Sequence, residues 1–191
     1  MDIKCKATFA IWKITGNTKE TVKWFTDNYK VIHSNIHNSK SLKFHIIATL
    51  SRMGPHGKGC QDILYQILKE RDGFLSNLAA SMLPKVSTDT KKSAIFLHDI
   101  VLNHRDQLTR ISAAYSLWQI KKDNLAVHYI IKELKTKSQF SHYASQDLAR
   151  IGAAAKPALE HLQAVDGGTY LEEYAKRAIF KIEEDLKKNK K

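Results

Sequence analysis

His33 and His37 stand four residues apart in the segment HSNIH. On a helix that spacing puts two imidazoles on one face, where they can grip a metal ion. No third Cys, His or carboxylate lies at a matching interval, so the pair reads as a polar segment between helices and no metal is expected. His98-Asp99 and His104 read as solvent-facing or structural. The two cysteines, Cys5 and Cys60, are far apart in the chain. They fit small apolar side chains in a reducing compartment, the cytoplasm, better than a disulfide. Neither a glycine-rich phosphate loop nor a nucleophile elbow is present, and no cofactor is implied. The chemistry that remains is ionic and aromatic: lysines and arginines interleaved with Phe, Tyr and Trp.

The charge balance gives that chemistry a direction. Lys and Arg number 31 against 19 Asp and Glu, a formal charge of +12, and the sequence pI is about 9.6. Such a surface attracts polyanions: nucleic acid, acidic proteins or anionic lipid. Hydrophobic residues at 43% and charged residues at 26% are ordinary for a folded domain. Three prolines and eight glycines are few breakers for 191 residues, which favours long helices over a turn-rich sheet. No run approaches the ~18 apolar residues of a membrane span, so no membrane insertion is expected. The opening MDIKCKATFAIWKITG lacks the pattern of a secretory signal.

The elements that must carry these side chains are written repeatedly. FAIWKI, LAASMLPKV, ISAAYSLWQI and YAKRAIFKI echo one another. Aligned on the last apolar residue, the anchors are Ile14, Met53, Val86, Ile120, Ile151 and Ile182, spaced by 39, 33, 34, 31 and 31 residues. Three residues before each anchor stands Ile11, Leu50, Leu83, Leu117, Leu148 or Ile179. Seven before stands Ala7, Ile46, Ala79, Ala113, Ala144 or Ala175. Those offsets form one helical face, and the small residue lets a neighbouring backbone approach. A second apolar-periodic run separates the echoes: ETVKWF, CQDILYQIL, SAIFLHDIVL, LAVHYIIKEL and PALEHL. Turn signals MGPHG, RDG, HRD, KKDN and DGG divide them. Each unit is thus two helices that can bury an apolar face only by stacking on another unit.

The pattern resembles the HEAT-repeat family, in the short variety found in phycobilin lyases. DQLTRISAAYSLWQI carries the resemblance best: Asp106 and Arg110 match the family's acidic and basic pair, and Ala113, Leu117 and Ile120 match its core. LARIGAAAKPALEHL is the next best match, with Ile151-Gly152 closing one helix and Pro157 opening the next. Ser76 and Ser141 depart from the pattern where Arg110 stands in the best match. The resemblance implies an all-α fold, a right-handed α–α superhelix of about five to six two-helix repeats spanning residues 1–191 as a single domain. It does not fix a function, since the family includes enzymes and passive scaffolds. The deoxyhypusine hydroxylases, built from similar repeats, need His-Glu pairs for iron, and this chain has no His-Glu dipeptide. The chain opens on half a unit, so the expectation is the C-terminal part of a longer array. Ile3, Ala7 and Ile11 would then lack a neighbour, and self-association through the N-terminal end follows. The closing helix, with its terminal lysines, reads as a cap.

In such repeats the second helices line the concave side. Counted from the −3 residue, the position two further on reads Lys13, Arg52, Lys85, Gln119, Arg150 and Lys181. Two before it the row reads Phe9, Ala48, Ser81, Tyr115, Gln146 and Arg177, and Trp12, Trp118 and Phe180 lie at its edge, where they can also pack between repeats. The expected function is a non-catalytic scaffold offering Lys13, Arg52, Lys85, Tyr115, Trp118, Arg150 and Lys181 to a protein or acidic peptide. The alternative is a nucleic-acid-binding solenoid. In that reading Tyr115, Trp118, Asp147 and Arg150 would share the wall of a site like that of HEAT-like DNA glycosylases acting on alkylated bases.

Overall fold

Helices account for 86% of the described residues, and no strand occurs among them. The computed structural model describes residues 2–33, 39–70, 72–165 and 170–189, without the side chains of residues 2–6, 30–33, 39 and 42. The side chains of Ile3, Cys5, Lys6 and His33, all of His37 and the turn at Asp166-Gly167-Gly168 therefore lie outside the description. Every echo is a helix, and so is every run between echoes. In chain order they are α1 (Asp2–Thr15), α2 (Thr18–His33), α3 (Ser39–Met53), α4 (Gln61–Lys69), α5 (Gly73–Val86) and α6 (Thr90–Asn103). There follow α7 (Gln107–Lys121), α8 (Asn124–Leu134), α9 (Ser141–Ile151), α10 (Leu159–Gln163) and α11 (Tyr170–Lys188). A 3-10 turn over Gly54–Gly57 precedes α4, and another over Gly152–Ala158 leads into α10. No helix is long and apolar enough to cross a membrane among the described residues.

The chain divides into two compact units, Met1–Phe96 and Leu97–Lys191. In the first, α1 packs on α3 and α3 on α5, while α4 pairs with α5. The small-residue logic recurs at Gly57, where a Cβ would stand 3.2 Å from both Leu50 Cδ2 and Val86 Cγ1. In the second unit α7 pairs with α8, α8 with α9, and α9 packs along α11.

Three of the turn signals act as N-caps. The Asp72 carboxylate accepts from the Leu75 amide at 3.2 Å, Asp106 from Thr109 at 2.8 Å and Asp123 from Ala126 at 3.2 Å. Each opens α5, α7 or α8 and stabilises its first turn by about 1 kcal/mol.

The repeated face is the core from α3 onward. Leu50, Leu83, Leu117 and Leu148 are buried, as are Ile46, Ala79, Ala113, Ala144 and Ala175. Removing each large side chain from water contributes roughly 1.5–3 kcal/mol. Met53, Val86, Ile151 and Ile182 are buried too, whereas Ile120 and Ile179 are half-buried. α1 departs from the shared register. Ala7 is exposed, Ile11 is 55% exposed and Ile14 84%, while Phe9 meets Arg52 of α3 and Trp12 meets His56 of the 3-10 turn after it.

Candidate functional site

Charged residues at the start of the second helix of a pair do structural work. The Arg110 guanidinium donates from Nε and Nη2 to the two Glu133 oxygens at 2.6 and 2.9 Å, and Nη1 donates to the His104 carbonyl at 3.0 Å. Glu133 is 6% exposed, so this fork fastens α7 to α8. The same register in α3 is Lys43, itself buried and ion-paired with Glu70 beyond the end of α4. Tyr29 also donates to Glu70, at 3.3 Å. Lys43 escapes a search keyed to Arg110 because a lysine replaces the arginine. Ser76 and Ser141 hold the same position in α5 and α9.

In the first unit two residues of the basic row meet on α1. Lys13, Arg52 and Lys85 are all exposed. Lys13 Nζ and Arg52 Cζ each lie 5.7 Å from the centroid of the Phe9 ring, a distance at which the ring quadrupole attracts a cation. Phe9 packs against Trp12 at 5.6 Å, and the His56 ring covers Trp12 at 5.5 Å. The indole N–H donates to Thr18 Oγ1 at 3.2 Å, which fixes that ring. None of Lys13, Arg52 or Lys85 makes an ion pair with a described residue. His56 has no counterpart in the surface rows, because it sits on the 3-10 turn and not on a helix.

In the second unit the expected cluster assembles around Tyr115. Its ring stacks on Trp118 with centroids 6.0 Å apart and planes 14° from parallel. Arg150 Cζ lies 5.9 Å from the Tyr115 centroid. Arg150 Nη1 donates to Asp147 Oδ1 at 2.9 Å. Asp147 is 6% exposed, and burial raises its carboxyl to about 7 despite the neighbouring guanidinium. Burial, then the Asp147 charge, also pushes the Tyr115 hydroxyl upward. Lys122 was not among the expected residues. It ends α7 in the left-handed conformation, φ 57°, with its amide donating to the Trp118 carbonyl at 2.7 Å. That reversal brings Lys122 Nζ to 3.5 Å from the Trp118 ring centroid. The KKDN turn holds the signal, since a helix closing without glycine must place some side chain there.

Lys181 differs from the basic residues of the first unit. It donates to Glu184 at 3.2 Å and to Asp185 at 3.0 Å on its own helix. Arg150 and Lys181 are thus charge-balanced locally. Elsewhere in this unit His142 packs on Tyr143, Tyr170 and Tyr174 at 4.1, 5.2 and 5.4 Å, a cluster that falls outside the two rows.

Comparison of the chain with protein-family models, curated proteins and solved structures gave no match.

Proposed function

We propose that the chain is a non-catalytic scaffold, a HEAT-like α-solenoid whose second helices present basic and aromatic side chains to an acidic segment of a partner protein. The solenoid reading is supported by the order of contacts: α1 to α3 to α5 in one unit, α7 to α9 to α11 in the other. The binding reading rests on one observation, the pair of cations seated on Phe9 without a carboxylate partner. Aromatic faces already taken by Lys13, Arg52, Lys122 and Arg150 serve better as seats for cations than as platforms for bases. Held cations lose less side-chain freedom on binding, which favours an anionic ligand. The unpaired state of buried Cys60 agrees with a cytoplasmic setting.

The test is binding of a fluorescent oligo-glutamate peptide to the wild type and to Arg52→Glu/Lys85→Glu/Arg150→Glu. The triple variant is expected to keep its helical circular dichroism and lose the peptide. Equal affinity would leave these residues as a solvated face and sink the proposal.

A second reading, a nucleic-acid-binding solenoid with base-excision chemistry, is favoured by Asp147, a carboxyl poised near neutrality beside Arg150, Tyr115 and Trp118. It requires the wild type to release an alkylated base from duplex DNA and Asp147→Asn to fail; an inert wild type excludes it.

A further inference from the structure

Charge is distributed unequally along the chain. Residues 1–96 hold fifteen Lys and Arg against seven Asp and Glu, a formal +8; residues 97–191 hold sixteen against twelve, a formal +4. The imbalance has a local form. Arg150 and Lys181 in the second unit are answered by Asp147, Glu184 and Asp185. Lys13 and Arg52 share the Phe9 ring and have no carboxylate among the described residues. Beside them Trp12 is fixed by Thr18 and covered by His56. The result is a fixed aromatic pair carrying two permanent cations, with an imidazole at its edge.

We infer that this Lys13–Phe9–Arg52 cluster binds a phosphate monoester, the phosphorylated side chain of an acidic peptide. The inference rests on the acidic-peptide reading above and narrows it. Two uncompensated cations call for a compact group of about two negative charges. A phosphorylated serine carries about −1.5 to −2 near neutral pH. A carboxylate supplies one charge, as does each phosphodiester of a nucleic acid, so neither neutralises the cluster as a single group. The chemistry of the two cations is also suited to a phosphate. Arg52 offers a planar fork that can donate two parallel N–H bonds to phosphate oxygens, and Lys13 adds a mobile point charge. The Phe9 ring draws both cationic heads to the site before the ligand arrives.

Three short peptides test this: Glu-phosphoserine-Glu, Glu-Ser-Glu and Glu-Glu-Glu, each blocked at both ends, titrated into the full chain. Binding is read by nuclear magnetic resonance at the Trp12 indole N–H and the Arg52 Nε–H. The phosphopeptide is expected to shift both signals and to bind about tenfold or more tightly than the tri-glutamate. Arg52→Lys, which keeps the charge and removes the fork, should lose most of that advantage, and Lys13→Gln part of it; Lys91→Gln, at an exposed lysine outside the basic row, should lose none. Circular dichroism of each variant confirms that it folds. Equal binding of the phosphopeptide and the tri-glutamate would overturn the phosphate inference and leave the acidic-peptide reading standing. Phosphopeptide binding that leaves Trp12 and Arg52 unshifted would overturn the site. Failure of all three peptides to bind would end both readings. Tighter binding of an oligothymidylate than of the phosphopeptide would transfer the cluster to nucleic acid.

Discussion

Asp147 is a buried carboxyl held by one guanidinium whose other side faces water, and this sets the sign of a pH effect. Its folded value, about 7, lies above the 3.8 of a free aspartate. The folded state therefore binds the extra proton between those limits, and stability falls as pH rises from about 4 to 7, by up to about 4 kcal/mol in this group. Asp147→Asn should melt higher than the wild type at pH 8 and nearly with it at pH 4; thermal melts at both values check this, and a wild-type advantage at pH 8 would contradict it. Lys122 offers an opposite contest. Its left-handed backbone costs about 1–2 kcal/mol, while an exposed cation–π pair returns about 0.5–1 kcal/mol. Lys122→Gly is expected to raise the melting temperature and to change Trp118 fluorescence together. The pairs Tyr115–Trp118 and Asp147–Arg150 were legible in the sequence because helical spacing aligns residues three apart, and the repeat spacing between α7 and α9 put the two pairs in matching register. The Lys122 contact was not, because it depends on a cap conformation that lysine rarely adopts.

At the scale of elements, the pairs that join helices differ in kind from those that decorate them. Arg110–Glu133 is forked and largely desolvated, whereas Lys23–Asp27 and Arg177–Glu173 are exposed pairs within one helix. Removing one partner of a largely buried pair leaves a charge without an answer, at roughly 3–5 kcal/mol; exposed pairs contribute about 0–1 kcal/mol. Glu133→Gln should therefore destabilise the chain to chemical denaturation by several times more than Asp27→Asn. Equal effects would mean the fork is no tether. The existence of each α-helix among the described residues could be read from the repeated apolar spacing, and Asp72, Asp106 and Asp123 marked where three of them begin; Pro157 did not, since it stands in a 3-10 turn and α10 begins at Leu159. The face of α1 could not. Its Ile11 and Ile14 fit the common register, yet Phe9 meets α3 through Arg52 and Trp12 meets the 3-10 turn through His56. A pattern copied from well-covered helices cannot tell which face a helix buries when the covering neighbour is missing among the described residues.

For the molecule as a whole, two kinds of association respond to salt in opposite ways. α1 exposes Ala7, Ile11 and Ile14 on one face, and exposed contiguous apolar surface favours pairing with another such surface. We propose that two copies meet there. The formal charge of +12 opposes that meeting, and added salt screens the repulsion, shortening the Debye length from about 10 Å at 0.1 M to about 3 Å at 1 M. Binding of an anionic partner draws on the same charge with the opposite sign, so salt weakens it. Sedimentation velocity should show the dimer fraction rising between those salt concentrations while oligo-glutamate affinity falls. Ile11→Glu/Ile14→Glu should remove the dimer at both concentrations without loss of helix. A sedimentation coefficient that salt and the double variant leave at the monomer value would mean that α1 keeps this face in water and that the charged rows carry whatever association the chain has.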